Sequence, residues 1–205
     1  MKKLISHLLA GAAVLFFAGG AGAADPAPDA LVKSVVDDVL GIIKDHKDPQ
    51  TLRAAAEQKV LPHFDFRQMT QMASGAIWRQ ASDSQKQSLE NGFRALIVNT
   101  YVVALSHTSS SAKTVEVKPV PASAAQGEAL VRTIVKESGK PPVSIDYRLV
   151  SEAGAWKVVD VTIENISMVT NYRSSFSQEV AKSGIDGLIK TLEDKSRTSS
   201  RGGMG

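Results

Sequence analysis

Four runs with strand character, KTVEVKPV, EALVRTIVK, VSIDYRLV and AWKVVDVTIE, follow one another from residue 113 to residue 164, separated only by PASAAQG, ESGKPP and SEAG. Parallel strands need a crossover of about a dozen residues or more, so connections this short predict an antiparallel meander. In the third run Val143, Ile145, Tyr147 and Leu149 alternate with Ser144, Asp146 and Arg148, the pattern of a strand with one face buried and one in water. The last run breaks that rule: Trp156 and Val158 occupy one register, and Val159, Val161 and Ile163 the other. The sheet is expected to have one strongly apolar face and a second that is only partly wet.

Helical periodicity surrounds these strands. Leu31, Val35, Val39 and Ile42 recur at helical spacing after Asp29, which is expected to cap them. Asp48-Pro49 opens a second helix, with Pro at the first helical position, where its missing N–H costs nothing. FDFRQMTQMAS places Phe66, Met69 and Met72 or Ala73 on one face, which spacing alone assigns to core. Ser82 and Gln85 form a capping box at the head of a long helix ending near Leu105. Its second half, ALIVNTYVVAL, is apolar almost all round and must be buried among neighbours. After the strands come SMVTNYRSSFSQEVAKSG and IDGLIKTLEDK, the first with Val169, Tyr172, Phe176 and Val180 as a stripe that can fold back on the sheet. Helices, then four strands, then helices predict an α+β domain: a four-stranded antiparallel sheet with helices packed on one face.

The chain of 205 residues suffices for one domain with a substantial core. Lys2 and Lys3, an apolar run from about Leu8 to Ala18 and Ala21-Gly22-Ala23 predict a cleaved signal peptide over residues 1–23. A single domain is expected over 24–194 and a disordered Ser/Gly tail over 195–205. No later run approaches the length of a spanning helix. The absence of cysteine excludes disulfides, thiol catalysis, cysteine-based metal sites and a lipidated cysteine. An exported chain of this kind fits the periplasm. The formal charge of +3 falls to about +1 once the two leader lysines are removed, and scattered basic residues do not describe a nucleic-acid binder. With no heptad pattern, a monomer is expected.

Candidate chemistry is sparse. His46, His63 and His107 lack partners at ligand spacing, and neither a nucleophile elbow nor a phosphate-binding glycine loop is present. Asp65, between Phe64 and Phe66, and Asp160, between Val159 and Val161, are the available bases. An exported isomerase or hydrolase-like enzyme on a cone-shaped α+β fold would use one of them at a raised pKa. The favoured alternative makes Asp65 a helix cap or ion-pair partner and Asp160 solvent-facing or bonded to a loop, because no second catalytic group accompanies either. A protein that only bridges envelope components, with a filled core, is a third reading.

HFDFRQMTQMASGAIW, ASDSQKQSLENGFRALIVNTY, WKVVDVTIENISMVTNYRSSF and GIDGLIKTLEDK together resemble the MlaC-like, or toluene-tolerance, periplasmic phospholipid-binding proteins of Gram-negative bacteria. The resemblance is carried by Phe64-Asp65-Phe66, Trp78, Gln85, Phe93, Tyr101, Asp160, Glu164, Ser167, Tyr172-Arg173 and Phe176 in that order and spacing. Two positions depart from it. Glu164-Asn165 stands where the family commonly has Glu-Gly, so a turn needing positive φ would rest on Asn, the next most tolerant residue. Val159 stands where Tyr is frequent.

The resemblance implies a non-enzymatic carrier that moves phospholipid between an outer-membrane lipoprotein complex and an inner-membrane ABC transporter with its lipid-binding ring. It needs no cofactor or metal, and it holds acyl chains in an apolar cavity between sheet and helices. Val161 and Ile163 would then form the floor, and Val131, Ile145 and Tyr147 would also line the cavity. Met69, Met72, Trp78, Phe93, Ile97 and Tyr101 would complete the lining. Ile166, Met168, Val169, Tyr172 and Phe176 would make a movable wall. Arg173 would pair with Glu164 or Asp160, or meet the lipid phosphate near the mouth, the structural pairing being preferred. Two acyl chains carry roughly thirty CH2 groups, whose exposure to water costs on the order of 24 kcal/mol, so unassisted diffusion between membranes is excluded.

Overall fold

A computed structural model describes residues 27–46, 48–106, 113–118 and 127–201. The expected signal peptide and residues 24–26, 47, 107–112, 119–126 and 202–205 lie outside these, among them His107 and the end of the first expected strand. Among the described residues, five α-helices and one short 3-10 helix (Leu61–His63) precede the sheet: α1 (Pro28–Asp45), α2 (Pro49–Lys59), α3 (Phe66–Ser74), α4 (Ala76–Gln80) and α5 (Asp83–Ser106). The strands are β1 (Lys113–Val117), β2 (Glu128–Glu137), β3 (Val143–Glu152), β4 (Ala155–Ile163) and β5 (Ile166–Ser167), and α6 (Met168–Arg201) closes the chain.

The sheet is an antiparallel meander in the order β1-β2-β3-β4-β5. It therefore has five strands, not the expected four. The fifth is two residues long, too short to show alternation, and is created by a tight reversal in which Glu164 (φ 48°) and Asn165 (φ 66°) both take positive φ. Asn suits the second position of such a turn. Glu164 is held there from both ends: its N–H donates to Ser144 O at 3.1 Å, and its Oε1 accepts from Ser144 N–H at 2.7 Å.

A bulge in β4 explains the two-register pattern of that strand. Arg148 pairs with Asp160 while Leu149 pairs with Val158, so Val159 is the extra residue. The one-residue slip brings Trp156 and Val158 onto the same face as Val161 and Ile163, since the cross-strand partners Ser151, Leu149, Tyr147 and Ile145 share one side of β3. Both apolar registers thus serve a single face.

Helix termini follow local chemistry, with one exception. Asp48 caps α2 by accepting from Gln50 and Thr51 N–H at 3.1 and 2.9 Å. Ser82 and Gln85 exchange the reciprocal bonds of a capping box at 3.2 and 2.9 Å. Asp29, expected to cap α1, instead lies inside its first turn; the helix begins at Pro28, two residues before the Ala30 start that a cap at Asp29 implies, and the Pro28 ring presets the first helical φ. The second half of α5 is buried as its composition requires, with Leu96, Ile97, Val98 and Val102 all enclosed.

The two expected closing helices are the halves of α6, separated at Gly184 (φ 73°, ψ −176°), a conformation open essentially to glycine alone. The second half runs beside α5. A Cβ on Gly92 would lie 2.9 Å from Leu192 Cβ, so this close approach needs glycine. Residues 195–201, expected in the tail, continue the helix. Asn99 Nδ2 donates to Ser196 O at 2.6 Å, a tertiary anchor that a Ser-rich composition does not reveal.

Candidate functional site

The inner face of the sheet is built in rows of cross-strand partners. Ala129, Leu149 and Val158 make one row; Val131, Tyr147 and Val161 the next; Thr133, Ile145, Ile163 and Ile166 the third; Val135 and Val143 the last. Burial declines along this series. Leu149, Val131 and Thr133 are fully enclosed, Ile145 and Ile163 are half-buried, and Val143 and Ile166 are exposed. The layer is closed at one end and apolar but open at the other.

Helices cover this floor unevenly. α1 lies on β1 and β2, bringing Leu31, Val32, Val35 and Val36, while α3 and α6 lie on β4. The close backbone neighbours of α5 are α2, α3 and α6. Phe93 of α5 meets Tyr172 and Phe176 of α6 edge-on, with ring centroids 5.1 and 5.2 Å apart. Ile97 and Tyr101 continue the Phe93 stripe at i+4 and i+8. Met69 is fully enclosed, Val169 and Phe176 are nearly so, and Met72, Tyr101 and Tyr172 are half-buried against the same cluster.

Of the expected lining, Trp78 and Ile166 stand apart from this cluster. Trp78 is buried under the Arg67 guanidinium, 5.5 Å above its ring, outside the contiguous core. Ile166 is 64% exposed at the open end. The rest, Met69, Met72, Phe93, Ile97, Tyr101, Val131, Ile145, Tyr147, Val161, Ile163, Met168, Val169, Tyr172 and Phe176, come together in one layer. The α1 stripe was visible as periodicity, but its place against β1 and β2 was not. Thr133 was missed, although the alternation Ala129, Val131, Thr133 puts it on the inner face; its Oγ1 donates to Ile145 O at 3.3 Å.

The polar residues among these apolar ones hold the strand-to-helix corner. Asp160 Oδ2 accepts from Ser167 Oγ at 2.6 Å and Oδ1 from Val169 N–H at 3.2 Å, and Ser167 Oγ accepts from Thr170 N–H at 3.0 Å. Asp160 thereby binds β4 to the start of α6, where carboxylates are favoured. Asp65 caps α3, accepting from Gln68 N–H at 2.8 Å, while its own N–H donates to Val158 O at 3.0 Å and covers an edge of β4 that β5 is too short to reach. Both candidate bases are engaged in structure.

Arg173 pairs with neither Glu164 nor Asp160. Its Nε and a terminal nitrogen donate to Met72 O at 2.9 and 2.5 Å, a carbonyl near the C-terminus of α3. Such carbonyls lack intrahelical partners and sit at the negative end of the helix dipole, so the cation pins α6 to α3. Burial pushes the phenol pKa of Tyr147 up against a smaller opposing effect of its bond with Thr133, and burial with the neighbouring Tyr172 raises that of Tyr101.

A surface groove of about 390 Å³ runs past Phe64, Phe66 and Asn91 and carries Asp65, Arg67, Glu90, Arg94, Glu152 and Lys157. Arg67 lies 3.9 Å from Glu90, Arg94 stacks over Phe66, and Lys157 Nζ donates to Pro62 O at 2.7 Å. Its mixed charges define no single-sign field.

Fold and site together describe an α+β protein with one apolar layer between sheet and helices. The family model for "MlaC protein" matches residues 33–194, and the chain belongs to the MlaC family. It is 23% identical over 178 residues, 83% of this chain and 82% of the relative, to the intermembrane phospholipid transport system binding protein MlaC of Haemophilus influenzae. It also matches the solved structure of a phospholipid-binding protein from Ralstonia solanacearum in complex with a phospholipid. That match has 33% identity and a TM-score of 0.76, covering 84% of this chain and 98% of the other. Among the described residues, no helix is long and apolar enough to cross a membrane.

Proposed function

We propose that this chain is a periplasmic phospholipid carrier that holds acyl tails in an apolar cavity between sheet and helices. It shuttles lipid between an outer-membrane lipoprotein complex and an inner-membrane ABC transporter with its lipid-binding ring. The observation that carries this reading is the likeness to a phospholipid complex over nearly the whole of that neighbour, at 33% identity. The layer has matching chemistry: aliphatic and aromatic side chains, flexible Met69 and Met72, and few polar groups that would discriminate between lipids. Tails enter at the end where Val143 and Ile166 are exposed, and Leu149 and Val131 close the far end. Exchange between a bilayer and such a layer is nearly neutral, so a few kcal/mol of differential affinity sets the direction.

The test is native mass spectrometry of the protein purified from a Gram-negative periplasm without detergent. A mass higher by one or more phospholipids, lost on denaturation, is expected. A bare protein that also fails to load from anionic liposomes would contradict the carrier. Val161→Asp places a charge in the layer and is expected to abolish loading; a folded variant that loads normally would remove the assigned lining.

A further inference from the structure

We propose that Arg173 is the latch of the apolar layer: by closing the seam between α3 and α6 it sets the rate at which lipid enters and leaves, while affinity is set elsewhere. This rests on the carrier reading and adds the residue that controls exchange. From its second turn to Gly184, the hydrogen bonds and ion pairs of α6 to other elements reduce, among the described residues, to the two bonds from Arg173 to Met72 O. The half beyond Gly184 is tied to α5 instead: Gln85 Nε2 donates to Asp186 Oδ1 at 2.8 Å and Asn99 Nδ2 to Ser196 O at 2.6 Å. The stretch that walls the layer is thus fastened at its two ends, by Asp160 and by the second half, and at one exposed point between them.

That point spans an apolar seam. Met72, whose carbonyl accepts, and Tyr172, beside the donor, are both half-buried residues of the layer, whereas Arg173 is exposed on the solvent side. Arg173 lies five residues beyond Met168, about 8 Å of helix from the corner next to exposed Ile166, which places the seam beside the open end. Inside α3, Ser74 opposes closure. It is 2% exposed and its hydroxyl has no hydrogen-bond partner, so packing α3 against its neighbours leaves a buried polar group unpaired. Parting the seam returns that hydroxyl to water. The closed state is therefore held by a bond at its surface against a cost in its interior. Both groups act within the protein, so loaded and empty forms lose the same bonds and regain the same hydration on opening; the two effects cancel from the binding equilibrium and remain in both barriers.

The test loads wild type, Arg173→Ala and Ser74→Ala with pyrene-labelled diacyl phosphatidylglycerol and follows transfer to excess unlabelled vesicles by stopped-flow fluorescence. The equilibrium partition of the lipid between protein and vesicles is measured in parallel. Arg173→Ala should speed transfer about tenfold and Ser74→Ala slow it about fivefold, with both partitions within about twofold of wild type. Arg173→Lys keeps the charge without the two-donor geometry and should fall between Arg173→Ala and wild type. A merely structural role would lower the melting temperature of Arg173→Ala and leave transfer at the wild-type rate, which overturns the latch. A partition changed as much as the rate makes Arg173 a ligand contact and overturns it too. Transfer unchanged or faster in Ser74→Ala shows that this seam is not what opens, and overturns the latch even where Arg173→Ala fails to fold. Each of these results leaves the carrier standing, whereas failure of wild type to take up the lipid removes both.

Discussion

The two ends of the inner sheet face are built from the same residue types and differ in what covers them. At the closed end Leu149 and Val158 are 0% and 1% exposed, whereas at the other end Val143 and Ile166 are 36% and 64% exposed on the same face. Apolar surface left open against a ready helical layer is not explained by folding, which gains from burial at every position. The contrast divides the layer into a part that stabilises the domain and a part that our reading assigns to the ligand.

Substitutions along the face test that division. Leu149→Ala removes a fully enclosed side chain and should cost about 3 kcal/mol, seen in denaturant unfolding of the lipid-free protein. Asp160→Ala breaks the two bonds that fasten β4 to α6 and should cost about 2 kcal/mol. It should also loosen the corner, read as faster amide exchange in the first turn of α6. Ile166→Ala should change stability by less than about 0.5 kcal/mol, since little area returns to water. If Leu149→Ala and Ile166→Ala cost the same, the two ends are not different and the open end has no separate role.

The polar corner shows how far the sequence could be read. Asp160 and Asp65 each stand between apolar neighbours, a pattern shared by a catalytic base and a helix cap. The favoured structural reading holds for Asp65, which caps α3, and Asp160 proves to be bonded to the start of α6. Arg173 is the counterexample. A carboxylate, Glu164 or Asp160, was the preferred partner over a lipid phosphate, yet its partner is a carbonyl 101 residues away. Charge alone cannot choose between a side-chain anion and the unsatisfied end of a helix.

Periodicity and short connections by themselves determined the order of the longer helices, the antiparallel meander, the capping box at Ser82 and the apolar stripes of α5 and α6, whereas the segment through Gly75 and Trp78, expected as a short loop, forms the helix α4. Each of these depends on residues within a few positions of one another. Tertiary structure decided the bulge at Val159, the fifth strand, the helical continuation to Arg201 and the open end of the layer. The bulge turns two conflicting registers into one face only when a partner strand fixes the pairing. Likewise β5 exists because Ser144 holds Glu164, and the end of α6 is anchored to Asn99 across the fold. Such outcomes depend on contacts between distant segments, whose free energy no local pattern records.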